Sequence, residues 1–313
     1  MAFAKAESIW MNGRLVPWDE AKIHVLSHVV HYGSCLFEGI RCYRTGQGPS
    51  VFRLQDHIER LFDGCRIYRI EVPYTPAQIE TAVLDTVRAN RLEACYVRPL
   101  VYRGYESLGV DPFPCPIDVA VAAYAWGAYL GKDAAEKGVD VMVSSWRRQS
   151  PDTFPALAKA SANYMNSQLI KMEALVNGYV EGIALDASGF VSEGSGENVF
   201  LVRKGALVTP PLTASILEGV TRASVMQLAH DLGIPVVERN LPRESLYTAD
   251  ELFFAGTAAE ITPIRSVDRV TVGRGTPGPI TTRLQAEFGG LTSGAIPDRH
   301  RWLTAVRPVP VAR

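Results

Sequence analysis

Apolar positions along the chain follow two periods. Short alternating or β-branched runs occur at Ile9-Trp10-Met11, Leu15-Val16, Cys95–Tyr102, Val119–Ala125, Val139–Ser145, Gly182–Asp186, Asn198–Val202, Ala206–Val208, Val236–Glu238 and Glu251–Phe254, and each predicts a strand. Asn12-Gly13 between the first two supplies the positive φ angles of a tight hairpin turn, and Arg203-Lys204-Gly205 turns a second hairpin. Helical spacing appears at Ile58, Leu61, Phe62, Cys65 and Tyr68, predicting a helix over 54–69, and recurs over 76–91, about 161–177, 221–232 (stopped by Gly233) and about 279–288. Arg103–Pro116 is a loop dense in Gly and Pro. The run Ile23–Tyr32 reads as β-rich rather than as a helix, and the Pro-containing tail after Val306 reads as mobile.

Strands and helices mixed over 313 residues predict an α+β chain of two domains. The segment Trp126–Gly138, glycine-containing and then charged, divides them. The expected organisation is a small N-terminal domain over 1–125, a linker over 126–137 and a larger domain over 138–313.

Charge removes several classes of function. With 32 basic and 33 acidic residues there is no basic stripe for a phosphate backbone and no net charge to steer the chain to lipid. No apolar stretch approaches the length of a membrane span, and MAFAKAESIW lacks the apolar core of a signal peptide. The five cysteines, Cys35, Cys42, Cys65, Cys95 and Cys115, contain no C-x-x-C pair and read as reduced thiols of a cytoplasmic protein. Gly273-Arg-Gly-Thr-Pro-Gly278 matches G-x-G-x-x-G but lacks a following βαβ unit, so it reads as a surface loop. His24, His28 and His31 have no carboxylate nearby and read as structural rather than as metal ligands.

Lysine is scarce, and that narrows the chemistry. Of seven lysines, at 5, 22, 132, 137, 159, 171 and 204, those at 5, 132, 137, 171 and 204 occupy ordinary solvated contexts. Lys159, in Ala156-Leu-Ala-Lys-Ala-Ser-Ala162, has small neighbours and no charged residue within six positions. It is either a partly desolvated nucleophile for a carbonyl or a lysine snorkelling from a small-residue helix start, and its context favours neither. Glu193 stands among glycines in Val191-Ser-Glu-Gly-Ser-Gly-Glu-Asn198, where it could pair with a heterocyclic nitrogen or be a plain turn residue. Gly219-Val220-Thr221 at a helix start and Gly256-Thr257-Ala258-Ala259 at a strand exit could each cup an anion. Arg60 lies opposite the apolar face of its helix but shares a side with Gly64 and Ile67, which allows that side to be covered as well. Tyr96 and Arg98, two apart on a strand, point the same way and suit a carboxylate or an interdomain ion pair.

In order along nearly the whole chain, these pieces resemble the branched-chain amino-acid aminotransferases of the fold-type IV pyridoxal-phosphate class. The matching stretches are His31-Tyr-Gly-Ser-Cys-Leu-Phe-Glu-Gly-Ile-Arg41, Tyr96-Val-Arg-Pro99, Ala158-Lys-Ala160 with Asn163-Tyr164, Glu193–Asn198, Leu217-Glu-Gly-Val-Thr-Arg222 and Gly256-Thr-Ala-Ala-Glu-Ile-Thr-Pro263. The resemblance implies a two-domain fold with the active site between the domains. It also implies that Lys159 is the Schiff-base lysine and acts as general acid and base.

On the same resemblance Glu193 keeps the pyridine nitrogen protonated and Tyr164 bonds the ring hydroxyl. Leu217 packs on the ring, and Arg60, Gly219, Val220, Thr221 and Thr257 hold the phosphate. Phe37, Trp126, Tyr129 and Tyr164 would form the side-chain pocket, with Arg98 and Tyr32 for a distal carboxylate. Tyr96 and the Thr257-Ala258 backbone would receive the α-carboxylate. The loop Gly104–Val110, with Leu108 and Val110, and Tyr32 would cross to a neighbouring subunit. A homodimer is then the minimum active unit, and a hexamer of three dimers the larger alternative. Ser107-Leu108 stands where the family often has Met. The implied reaction moves the amino group of leucine, isoleucine or valine to 2-oxoglutarate. D-Amino-acid and (R)-amine transaminases and aminodeoxychorismate lyase are rivals on the same fold. A non-catalytic binding protein would need neither Lys159 nor Glu193.

Overall fold

The computed structural model describes residues 5–127, 130–131 and 133–307. Tyr129, expected in the substrate pocket, lies outside the described residues, as does most of the tail expected to be mobile. Contacts divide the chain into two compact units, Met1–Gly127 with Ala158–Ala162 and Gly290–Arg313, and Ala128–Leu157 with Asn163–Gly289. The first change of unit thus falls at 127/128. Two further segments, among them the one carrying Lys159, return to the N-terminal unit rather than continuing the second.

The N-terminal unit begins with the hairpin β1 (Ser8–Met11) and β2 (Arg14–Pro17), turned at Asn12 and Gly13, both at positive φ. The five-residue helix α1 (His28–Tyr32) follows, ended by Gly33 in the left-handed region, where a β-rich run was expected. Hydrogen bonds override propensity here: the α1 His28 imidazole is held by Ser34 Oγ at 2.7 Å and the Gly109 carbonyl at 3.0 Å. Next come β3 (Cys35–Phe37), β4 (Ile40–Thr45), β5 (Gly48–Phe52), α2 (Leu54–Ile67), α3 (Pro76–Ala89), β6 (Cys95–Arg103) and β7 (Ile117–Tyr124). Helix α3 starts with a capping box in which Thr75 and Gln78 satisfy each other's backbone.

The sheet order is β5-β4-β6-β7-β1-β2, with β3 also on β6 and a C-terminal strand, Leu303–Ala305, on β5. Both β3 and β4 pair with β6, one through Phe37↔Leu100 and the other through Ile40↔Val97. Between them the ladder meets Pro99, which has no N–H to give, and the opposing chain breaks at Glu38-Gly39. Glu38 N donates to the Pro99 carbonyl at 2.9 Å. The break frees Glu38 from the pleat's alternation, and its side chain is fully buried. Helices α2 and α3 bury Ile58, Leu61, Cys65, Ile79, Val83 and Val87 in a core shared with Ile40, Val97 and Val101 of the sheet.

The second unit contains α4 (Ala134–Lys137), β8 (Val139–Val143), α5 (Asn163–Val176), β9 (Glu181–Leu185), β10 (Val191–Gly194), β11 (Asn198–Arg203), β12 (Ala206–Thr209), α6 (Val220–Asp231), β13 (Val236–Glu238), β14 (Glu251–Gly256), β15 (Glu260–Val267), β16 (Val270–Thr271) and α7 (Pro279–Ser293) up to Gly289, its last residues being assigned to the N-terminal unit. Helix α7 runs past its expected end through Gly289-Gly290. The sheet runs β10-β9-β8-β15-β14-β11-β12-β13, and an additional β10–β11 pairing closes the first six strands into a barrel-like ring. Closure occurs at a single register pair, Glu193↔Asn198. Helices α5 and α6 are the crossovers joining the parallel pairs β8–β9 and β12–β13.

Candidate active site

In the N-terminal unit the lysine singled out by its surroundings sits on an edge rather than at a helix start. Residues 158–162 lie along β3: Phe37 N donates to the Lys159 carbonyl at 3.0 Å, and Ser161 N donates to the Cys35 carbonyl at 2.8 Å. Alternation then explains the small neighbours. Ala158 and Ala160 point into the core, and Lys159 points the other way. Gly64 of α2 serves the same packing, since a Cβ there would lie 3.1 Å from Leu36 and 3.8 Å from Ala158.

Around the lysine the unit gathers aromatic faces and one guanidinium. Lys159 Nζ lies over the Phe37 ring at 5.2 Å, and the Arg98 guanidinium lies over the same ring at 4.7 Å and over Tyr96 at 5.3 Å. Trp126 stacks on Tyr96, with ring centres 5.1 Å apart. Thus Phe37, Tyr96, Arg98, Trp126 and Lys159 form one cluster.

Arg60 forms a second, anchored feature. Its Nε donates to Glu38 Oε1 at 2.7 Å and its Nη2 to Glu38 Oε2 at 2.8 Å. His57, one turn earlier on α2, bonds Glu38 Oε2 through Nδ1 at 2.8 Å. Burial would raise the Glu38 carboxyl's pKa, but the Arg60 charge and the hydrogen bonds from Arg60 and His57 override it and hold the group well below the ordinary carboxylate range. Burial lowers the pKa of His57, partly offset by Glu38, so the imidazole is neutral and donates Nδ1–H to the carboxylate.

Three other candidates in this unit stand apart. Tyr32, Leu108 and Val110 are exposed, Val110 at 89%. Tyr32 packs on His28, with ring centres 4.4 Å apart.

The second unit gathers a carboxylate and a helix start. Glu193, buried on β10, receives Arg148 Nη2 at 2.9 Å on Oε1, and Asn198 Nδ2 and Leu217 N, each at 3.1 Å, on Oε2. Asn198 Nδ2 also donates to the Leu217 carbonyl at 3.0 Å. Helix α6 begins just beyond, with Gly219 at its N-cap and no side chain capping it. A Cβ on Gly219 would come within 2.0 Å of Asn198 Oδ1, so glycine is what lets the helix start sit against the asparagine. One amide side chain therefore ties Glu193 to Leu217, just ahead of the α6 N-cap, and Val220 and Thr221 of the first turn are buried. Thr257 and Ala258 are half-buried in the turn between β14 and β15, and Tyr164 is half-buried in the first turn of α5.

The residues match the "Amino-transferase class IV" family model over 35–267. A branched-chain-amino-acid aminotransferase of Salmonella typhimurium is 51% identical over 307 residues, 98% of this chain and 99% of that protein. The crystal structure of the Escherichia coli branched-chain amino acid aminotransferase superimposes with a TM-score of 0.95 at 51% identity, covering 97% of this chain and all of that one. A T.th. branched-chain amino acid aminotransferase, complexed with N-(5'-phosphopyridoxyl)-L-glutamate, gives a TM-score of 0.93 at 45% identity over 97% of this chain and 99% of that one. The chain belongs to the class IV aminotransferase family. Its cofactor is pyridoxal 5'-phosphate.

The residues present suit that group chemically. The cofactor carries a phosphate dianion, a basic ring nitrogen and a carbonyl that an amine can attack. An uncapped helix start with a buried Thr221 hydroxyl suits the first, and a buried carboxylate paired with a guanidinium suits the protonated form of the second. Lys159 is the amine that its neighbours leave on the side away from the core.

Several functional residues of this class IV aminotransferase carry no local signal in the sequence. Lys171, read as solvated, instead pairs through Nζ with the buried Glu181 at 2.8 Å and the Val180 carbonyl at 2.7 Å. Beside that pair lies Glu197, whose carboxyl is pushed well above the ordinary range by burial and by the Glu181 charge, and whose Oε1 is buried without a hydrogen-bond partner among the described residues. Arg148, in an irregular stretch, carries no periodic signal. Asn198 could have been found, because Gly194-Ser-Gly196 between two strand-forming runs predicts a hairpin that pairs it with Glu193. Among the described residues no group of three or more His, Cys, Asp or Glu side chains is placed to hold a metal. His31 instead bonds the Val25 carbonyl at 3.0 Å, and His24 accepts from Leu26 N at 3.1 Å.

Proposed function

We propose that this enzyme transfers the amino group of branched-chain L-amino acids to 2-oxoglutarate, giving branched 2-oxo acids and L-glutamate. The observation that carries the substrate assignment is the Phe37–Tyr96–Arg98–Trp126 cluster, which offers aromatic surface and a guanidinium side by side. Aromatic surface suits a leucine, isoleucine or valine side chain, and a guanidinium suits the second carboxylate of glutamate. The glutamate adduct in the T.th. relative and the branched-chain naming of relatives at 51% identity support the pair.

The bound cofactor supplies an electron sink for the charge left on Cα when its proton departs. Lys159 would hold the cofactor in the resting enzyme, and its amine, released when the substrate's amine takes its place, would move the substrate's Cα proton as general base and acid. Glu193 holds the ring nitrogen's proton. Arg148 and the Asn198 and Leu217 amides hold that carboxylate in place. Tyr164 would donate to the ring hydroxyl, and Leu217 would pack on the ring. Arg60, Gly219, the Val220 and Thr221 amides, the Thr221 hydroxyl and Thr257 would hold the phosphate. Tyr96 and the Thr257-Ala258 backbone receive the α-carboxylate, and Arg98 with Tyr32 receives the distal one.

Tyr32, Leu108 and Val110 act from a neighbouring copy in a homodimer. The support is the exposure of Ile23, Val25, Leu26, Val30 and Phe113 around them, apolar area that a second copy would cover. Five buried, unbridged cysteines suit the reducing cytoplasm, where we place the enzyme.

A panel of amino donors with 2-oxoglutarate tests the function. L-Leucine, L-isoleucine and L-valine should far outpace D-alanine and (R)-1-phenylethylamine, and the reverse ranking would reassign the enzyme to the D-amino-acid or (R)-amine transaminases. Mass measurement in solution tests the assembly, with a monomer contradicting it.

A further inference from the structure

We propose that Glu38 is the positioning residue for Arg60 and that cofactor affinity depends on the orientation it imposes. The inference rests on the reading of Arg60 as a phosphate ligand. Glu38 occupies the break between β3 and β4, fully buried, with its backbone N–H on the Pro99 carbonyl. Its carboxylate accepts from Arg60 Nε and Nη2, from His57 Nδ1 and from Gly39 N at 3.1 Å. The Arg60 contacts use the side-on edge of the guanidinium, which fixes its plane and turns its end-on edge away from Glu38. His57 in turn fixes the carboxylate. Arg60 and His57 come from adjacent turns of one helix face, and Glu38 comes from a strand break that Pro99 enforces, so the aim of the guanidinium is built into the fold.

This arrangement has a cost that makes it testable by sign. A buried carboxylate next to a ligand of a phosphate dianion repels that dianion and cancels much of the attraction of Arg60. If net charge governed affinity, removing the carboxylate's charge would tighten cofactor binding. If orientation governs it, the same change loosens binding, because the guanidinium must be ordered anew each time the phosphate binds.

The experiment titrates apoenzymes with pyridoxal 5'-phosphate and measures Kd, with the thermal midpoint of each apoprotein recorded beside it. Glu38→Gln should raise Kd about 10- to 100-fold, the scale of a hydrogen bond to a charged group. Glu38→Asp keeps the charge but shortens the arm, and should also raise it. In an Arg60→Gln background, Glu38→Gln should add less than about twofold, because the residue acts through Arg60. Arg60→Lys keeps the positive charge without the fork and should lose nearly as much affinity as Arg60→Gln, which keeps the test decisive if the Glu38 variants do not fold.

Unchanged or tighter binding in Glu38→Gln, an equal loss with and without Arg60, or parental affinity in Arg60→Lys would each overturn the proposal while leaving Arg60 as a phosphate ligand. If Arg60→Gln itself leaves Kd unchanged, the reading of Arg60 fails, and the proposal with it. A merely structural Glu38 would lower the thermal midpoint without moving Kd.

Discussion

Arg148 Nη2 lies 2.9 Å from Glu193 Oε1, both side chains buried, so the carboxylate proposed to face the cofactor's ring nitrogen has a guanidinium behind it. Arg148 is itself held by Asn166 Oδ1 at 3.1 Å and Ser167 Oγ at 3.4 Å, both on α5. The pair turns a costly buried charge into a fixed one. Removing one partner leaves the other without compensation, which costs about 3–5 kcal/mol.

Arg148→Gln should therefore destabilise the protein on that scale and lower kcat/KM for L-leucine about 10- to 100-fold, because a Glu193 without its charge partner is no longer held toward the ring nitrogen. Urea unfolding and steady-state kinetics check the two halves. Activity within about twofold of the parent would mean that Arg148 does not govern Glu193.

Glu197 gives a pH prediction of opposite character. Its pKa is raised in the folded protein by burial and by Glu181, so the folded state binds a proton that the unfolded state has released above about pH 4.5. Stability from this group is complete below that pH and falls as pH rises, at up to about 1.4 kcal/mol per unit. Glu197→Gln mimics the protonated form and removes the loss. The variant's thermal midpoint should match the parent's near pH 4.5 and exceed it increasingly toward pH 8. A constant offset across that range would show that Glu197 titrates normally.

Gly39 is fixed by a neighbour rather than by its own φ. A Cβ there would lie 1.8 Å from the Tyr96 hydroxyl and 2.6 Å from its Cζ, and Tyr96 is stacked against Trp126 and cannot simply retreat. Gly39→Ala should cost about 1–3 kcal/mol and, by displacing a residue proposed to receive the α-carboxylate, raise KM for amino donors more than it lowers kcat. Equal KM values would separate Tyr96 from substrate binding.

Legibility in the sequence divides along the range of the contacts. Lys159 stood out because its cue is local: small residues on both sides and a place on a short roster of lysines. The hairpin at Asn12-Gly13, the helix at 54–67 and the glycine-led start of α6 were readable for the same reason, being set within one or two turns of chain. Glu38 was not, since its role is set by Arg60 22 residues away and by a proline on a third element. Lys171 looked solvated because its partner, Glu181, is buried on a strand ten residues on. The hairpin pairing of Glu193 with Asn198 is local, but that it closes a ring depends on five other strand pairings, which leave no periodic trace. Periodicity locates elements, but it does not say which buried charges the fold will bring face to face.

The most direct test of the proposed chemistry is to reduce the holoenzyme with borohydride, which locks the cofactor onto the amine that holds it, and to map the labelled peptide. A single label on Lys159 is the expected result. Label on Lys5, Lys22, Lys132, Lys137, Lys171 or Lys204, or no label at all, would contradict it.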